Sequence, residues 1–295
     1  GQALHVFGRA GVTGEAGWLG RLSLELTKTE HGTQLSRSSH EGPLRIQRVL
    51  TPEGLACPHI YLLHPPGGVV GGDRLRTSVE LGPGAQVLLT TPAAQKLYRS
   101  QGARAEISNE LRVGSGARLE WLPSETLAFS AAQALVSTRV QLAPEAAFIG
   151  WDIACYGMPA RGESFDAGRV VSRFELFRGE TPLAIESFDL GESDARPPAE
   201  LLNGAFALRG QPVVATLYAV PAHGPIDAAL VDLVRAAIGE PARGLCSVSS
   251  LQDLLVVRAL GPNVEGVRDS LIRAWHVLRP VIVAREAVTP RIWAT

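Results

Sequence analysis

Cysteine is scarce in this chain of 295 residues, and the three present, Cys57, Cys155 and Cys246, are odd in number and widely spaced. That pattern excludes a disulfide framework and a CxxC-type zinc or redox site, so they read as reduced thiols that mostly pack. Charge of one sign is also missing. Lys and Arg total 28 against 29 for Asp and Glu, which leaves no strong field to draw nucleic acid or an anionic membrane surface. No apolar run reaches the roughly 20 residues that span a bilayer; Asp152, for instance, interrupts Phe148 to Tyr156. Gly1 to Gly20 lacks the basic start and apolar core of a secretory signal, so the cytoplasm is the expected compartment. A GxSxG elbow is absent, and so is the Gly-Lys-Ser/Thr ending of a phosphate loop. His59 and His64 lie five apart while His5, His31, His40, His223 and His276 are scattered, a spacing that defines no metal site.

What the chain does have is period-two alternation. Leu22, Leu24 and Leu26, then Val79 and Leu81, then Ile107, Asn109, Leu111 and Val113, then Val136, Thr138, Val140 and Leu142 read as short strands broken by turn residues. Such spacing predicts a mainly β protein, a sandwich or a layered, β-helix-like arrangement, over about residues 18–190. Leu81-Gly-Pro-Gly-Ala85 with its following strand returns as Val113-Gly-Ser-Gly-Ala117, and more loosely from Leu142 through Ala146 to Trp151. Strand-turn-strand units stacked in layers would produce this, and so would chance similarity between Gly-turn hairpins.

A polar loop at Gly191–Pro198 precedes a mixed α+β part over about 200–295. Ile226 to Ile238 puts Ile226, Leu230, Leu233, Val234 and Ala237 on one helical face. Val264 to Leu278 does the same with Val267, Leu271, Ala274, Trp275 and Leu278, with Asn263 as N-cap and Pro280 as stop. Strands are expected at Pro212–Val220 and Asp253–Leu260. No linker divides the chain, so one domain, 1–295, with two amphipathic helices in its last third is the expectation.

Four stretches are candidates for chemistry. Leu63 to Asp73 packs four glycines and two prolines between strands, which suits a structural turn better than a phosphate cradle, since no helical pattern follows. Thr90 to Ser100 offers Gln95 and Lys96 but no activating partner. Asp152 and Glu186 are acids inside apolar strands. Alternation places them either on a solvent face or inward, where an ionised carboxylate needs a cation, a partner or water. Cys155 to Glu163 reads as a turn carrying an exposed Arg161 and Glu163 pair.

His64 to Asp73, Pro92 to Ser100, Leu119 to Pro123, Trp151-Asp152, Gly157 to Glu163 and the terminal Pro290-Arg291-Ile292-Trp293-Ala294-Thr295 together resemble the urease accessory family UreD, also called UreH. The match runs in order from about Trp18 to the end; Met158 stands where an Arg is expected. The resemblance implies a layered, mainly β fold with two helices and a non-enzymatic maturation factor. It further implies UreF, the GTPase UreG and apo-urease as partners, no nucleic acid or membrane, and no tightly held cofactor, with nickel in transit to the carbamylated lysine site of urease. Asp73, Asp152 and Glu186 would line the nickel path, with Gln95 as a neutral polar neighbour. A β-rich enzyme using Asp73, Lys96 and Glu163 as an acid-base cluster, or a purely structural interaction module, are the alternatives.

Overall fold

The computed structural model describes residues 17–191, 197–240 and 244–294. Residues 192–196 of the expected polar loop lie outside them, as do His5 and Thr295. A hairpin of β1 (Leu19–Thr29) and β2 (Gly32–Glu41) leads through β3 (Arg45–Leu50) into three coils. The first contains β4 (His59–Leu63), β5 (Gly68–Val69) and β6 (Arg74–Leu81). The second contains β7 (Gln86–Thr90), β8 (Gln95–Leu97) and β9 (Ala105–Val113), and the third β10 (Arg118–Leu122), β11 (Thr126–Ala128) and β12 (Ala132–Leu142). β13 (Ala147–Tyr156) opens a fourth coil that ends in the hairpin β14 (Gly168–Arg178) and β15 (Thr181–Gly191). The rest is α1 (Pro198–Asn203), β16 (Val213–Val220), α2 (Ala228–Ile238), β17 (Leu245–Leu251), β18 (Leu254–Gly261) and α3 (Val264–Ile282).

Equivalent strands of successive coils pair in parallel, which makes the β body a solenoid of two facing sheets. One runs β15-β14-β12-β9-β6-β1-β2, the other β17-β18-β16-β13-β10-β7-β4-β3, with β5, β8 and β11 bridging at the corner. The self-similar segments are one structural repeat rather than a coincidence. Leu81 pairs with Val113 and Val113 with Leu142, while Gln86 pairs with Arg118 and Arg118 with Ala147. Ala85, Ala117 and Ala146 fall at the same turn position and are fully buried. The Arg118 N–H donates to the Ala85 carbonyl at 2.9 Å, and the Ala147 N–H to that of Ala117 at 2.9 Å.

β6 alternates exposed and buried along its length because one face of its sheet meets water and the other meets the second sheet. β7 is buried at every residue. Its sheet is covered twice, by the first sheet on one side and by α2 and α3 on the other. Leu24, Val79, Leu111 and Val140 therefore fill an inter-sheet core, while Ile149, Trp151 and Ile153 join Leu271, Trp275 and Leu278 in a second core under the helices. Trp293 closes that layer against Trp151 and Trp275, with ring centroids 5.4 and 5.3 Å apart, and donates to Thr90 Oγ1 at 3.1 Å. Among the described residues no helix is long and apolar enough to cross a membrane.

Both expected helices form, with two corrections. α2 begins at Ala228, where Asp227 caps it by accepting from Ala229 N at 2.9 Å. Ile226 instead donates its N–H to Gln252, and the buried face is Leu230, Val231, Val234 and Ile238, with Leu233 exposed. In α3 all five expected positions are buried and Asn263 caps Gly266 N at 2.8 Å. Pro280 does not end it. Proline forfeits a bond to the carbonyl of exposed His276, and the last turn still closes through Val283 N to Arg279 O. The short α1 and strand β17 were not expected.

One charged network ties α3 to the second sheet, through Glu120 on β10, His59 on β4 and Glu53 between β3 and β4. Arg279, wholly buried, donates through Nε to both oxygens of Glu120 at 2.9 and 3.1 Å, through Nη1 to Glu53 at 3.0 Å, and to the Glu286 carbonyl. Trp275 Nε1 adds a bond of 2.7 Å to Glu120, and His59 Nε2 lies 2.7 Å from Glu53 Oε1. Burial opposes the ionisation of Glu53, but the bonds from His59 and Arg279 outweigh it and hold its carboxyl down at about 2. Removing the cation would strand two carboxylates in a dry interior. Arg279→Leu is therefore expected to cost about 3–5 kcal/mol in a denaturant titration at pH 7; a loss below about 1 kcal/mol would show that the network carries little.

Candidate functional site

The solenoid has two kinds of edge. At the turns holding Ala85, Ala117 and Ala146 the sheets close on methyl groups. At the opposite corners each second-sheet strand runs into a proline, Pro65, Pro92 or Pro123, which has no N–H for the ladder and turns the chain away. All three line a cavity of about 290 Å³ between the sheets. His64, Thr91, Gln95, Ser124 and Thr126 face it from the corner, and Thr77, Asn109 and Thr138 from the first sheet. Asn109 Nδ2 donates to Thr138 Oγ1 at 3.1 Å. A second cavity, about 620 Å³, lies further along the sheets and is lined by Tyr156, Ser172, Glu186, Tyr218 and Arg258 among apolar neighbours such as Phe174 and Phe188.

Asp152 borders both cavities. Along β13 the odd residues Ile149, Trp151 and Ile153 enter the helix-side core, and the even residues Phe148, Ala154 and Tyr156 enter the inter-sheet core. Asp152 shares the even row, between Gly150 and Ala154, so its side chain points between the sheets. No cation partners it among the described residues. Burial pushes its carboxyl up to about 6, against a backbone hydrogen bond at Ile153 that acts the other way.

Glu186 lies across the second cavity, where it makes a short ion pair with Arg258. Tyr218 stacks on Phe174 with centroids 4.2 Å apart, and burial, then the charge of Glu186, drives its phenol above the ordinary range. Tyr156 Oη, His64 Nδ1 and Gln95 Nε2 are buried without a hydrogen-bond partner. Burial lowers His64, outweighing the charge of Asp73 and the amide of Gln95, which favours the neutral imidazole. The two cavities thus carry weak polar groups on apolar walls.

Asp73 is placed elsewhere. Its two oxygens accept from Trp18 N at 2.8 Å and Val70 N at 2.9 Å, and it borders neither cavity. The Gly-rich stretch around it is a pair of turns in which Gly67 and Gly72 have positive φ. A Cβ on Gly71 would sit 2.0 Å from Ser100 Oγ, so the loop must pass tightly over the next coil. Lys96 and Glu163 border neither cavity, so none of the three residues of the acid-base alternative lines either one. Arg161 and Glu163 form no ion pair among the described residues; Met158 N donates to Glu163 O at 2.7 Å and closes that turn through the backbone.

Glu53, Cys57 and His59 have ligand atoms within 4.8 Å of one another, a grouping no sequence spacing announced. Arg279 occupies it, with Nη2 at 3.8 Å from Cys57 Sγ and 2.5 Å from Glu53, so a guanidinium stands where a cation would go. Burial, with the neighbouring carboxylates, keeps the Cys57 thiol protonated. His64 was also missed as a cavity residue. The signal available was its place at the strand-to-proline junction.

The sequence profile of the UreD urease accessory protein family matches residues 19–294. A protein of Brucella anthropi named urease accessory protein UreD 2 is 43% identical over 280 residues, covering 95% of this chain and 99% of that protein. One of Pseudomonas fluorescens named urease accessory protein UreD is 42% identical over 279 residues, 94% of this chain and 95% of its own length. A third, of Alkalilimnicola ehrlichii, is 39% identical over 279 residues, 95% and 92% of the respective chains. With a family match over nearly its whole length and relatives at this identity, the chain belongs to the UreD family of urease accessory proteins.

Proposed function

We propose that this chain is a non-catalytic urease maturation factor: a cytoplasmic scaffold and metallochaperone that acts with UreF and the GTPase UreG and passes nickel between its two sheets into apo-urease. The observation that carries the reading is Asp152, a half-buried carboxylate that lines both cavities and has no cation partner among the described residues. An ionised group in such a place is costly unless a cation or water meets it. Nickel in transit would meet it, as cargo rather than as a resident cofactor. Glu186 follows in the second cavity and Gln95 in the first, all single side-chain ligands. Isolated donors hold a metal weakly enough to release it, whereas a closed set of four would retain it. GTP hydrolysis belongs in this reading to UreG.

Reconstitution of apo-urease with nickel, bicarbonate, UreF, UreG and GTP tests it directly. Asp152→Asn and Glu186→Gln should each reduce nickel loading at limiting metal by about tenfold or more, while the complex with UreF still elutes intact. Loading at the normal level would remove the path; loss of the complex would favour a purely structural module.

Asp152 also sets a pH dependence that needs no nickel. Its carboxyl has an ordinary value of 3.8 and titrates at about 6 when folded, so the folded chain holds this proton more tightly than the unfolded one. The stability this lends is complete below about pH 4 and is lost as pH rises through 6. Asp152→Asn is thus expected to stabilise the protein at pH 8 by up to about 3 kcal/mol and to change little at pH 4. Denaturant midpoints at the two pH values measure this, and equal effects at both would place the carboxylate in solvent.

A further inference from the structure

Asp152, Glu186 and Gln95 would offer a cation only oxygen, and oxygen ligands suit magnesium and calcium as well as nickel. The structure adds one nitrogen to the path. His64 is the first residue after β4, held at the point where Pro65 ends the ladder, and it lines the first cavity together with Thr91, Gln95 and Asp152. Its Nδ1 is buried and has no hydrogen-bond partner, and the amide nitrogen of Gln95 on the same cavity is in the same condition. A buried polar atom left unpaired is costly to the fold. On the wall of a 290 Å³ cavity the His64 nitrogen, as the lone pair of a neutral imidazole, can be met by a cation, whereas the Gln95 amide nitrogen is a donor and leaves only the carbonyl oxygen of that side chain for a metal.

We propose that His64 is a nitrogen ligand for a borderline divalent cation in the first cavity, with the Gln95 amide and the Asp152 carboxylate as its oxygen partners, and that this station selects nickel over magnesium. The inference rests on the reading of the cavities as a metal path. Imidazole suits nickel, copper and zinc and has little attraction for magnesium, which keeps its water. A single nitrogen therefore supplies selectivity without the tight cage that would stop transit. Its position at the corner differs from the Glu53, Cys57 and His59 cluster, where the Arg279 guanidinium excludes a cation.

Equilibrium dialysis of the full chain against nickel chloride, alone and with excess magnesium chloride, measures the station. The unmodified protein should retain nickel in excess magnesium, and His64→Gln should bind it about tenfold or more weakly and lose it to magnesium. His31→Gln, at an exposed histidine, should behave as the parent. X-ray absorption at the nickel edge of the unmodified chain should show an imidazole nitrogen, which vanishes in His64→Gln; this measurement on the parent needs no variant to fold. Parental nickel retention by His64→Gln, an imidazole signal that survives in it, or no imidazole on the parent's nickel would overturn the station and leave the orphaned atoms as a water site. Urease loading separates the two failures. Impaired loading by Asp152→Asn with normal loading by His64→Gln in excess magnesium discards the station and keeps the path, while normal loading by both discards the path as well.

Discussion

The strands of successive coils are locked into one register by a turn too small to admit any side chain beyond a methyl group. Ala85, Ala117 and Ala146 stack there, each linked to the next through the N–H of the residue after it. Sheet packing at the usual spacing of about 10 Å follows from that closure. The opposite edge cannot close in the same way, because the corner prolines take each strand out of its ladder. A sandwich shut along one edge and held open along the other has to contain space between its sheets. The two cavities lie in that space, and the alternation of β13 brings Asp152 to their boundary.

The same fold treats the carboxylates of its interior in two opposite ways. Glu53 and Glu120 are saturated by Arg279, His59 and Trp275, and their charges are spent on holding α3 to the second sheet. Asp152 has no such partner, and burial pushes its carboxyl up to about 6. Replacing a complete buried ion network by apolar residues is often neutral for stability, so the network's value lies in fixing which face of α3 docks. The unpaired Asp152 cannot be explained by docking. A carboxyl shifted this way is expected to cost stability at neutral pH, and perturbed groups cluster at functional sites.

Much of the fold was legible in the sequence because it depends on local periodicity. Positions such as Leu24, Val79, Val113 and Leu142 alternate in strands with one wet face, and the alternation shows. β13 is buried on both faces, so its residues give no contrast and the direction of Asp152 could not be read. The repeat was visible in the Gly-x-Gly-Ala turns, yet only pairing distinguishes a stack from similar hairpins. Asp73 caps a turn, a role that a carboxylate beside glycines can fill and that the sequence did not show, because its backbone partners include Trp18, 55 residues away in sequence. Glu53 and Arg279 are 226 residues apart, beyond any spacing rule. His64 gave no signal as a lone histidine; only the corner geometry brings it against Gln95.

Charge along the proposed path is uneven, and the unevenness bears on how a cation would move. At the junction Asp152 is a bare carboxylate in a poorly solvated place, where a given charge attracts a cation more strongly than it would in water. In the second cavity Glu186 is already paired with Arg258, so the two together present almost no net charge, and the guanidinium repels a second cation. In the first cavity the donors are neutral: an imidazole, an amide and hydroxyls. Attraction therefore peaks in the middle and falls toward both cavities. On the proposed path a cation would be drawn inward past a neutral nitrogen that discriminates by ligand type, and would then meet a single carboxylate that cannot complete its coordination. It would leave toward a carboxylate whose charge is already compensated. On this proposal selection, attraction and release fall to different residues, which permits each to be weak.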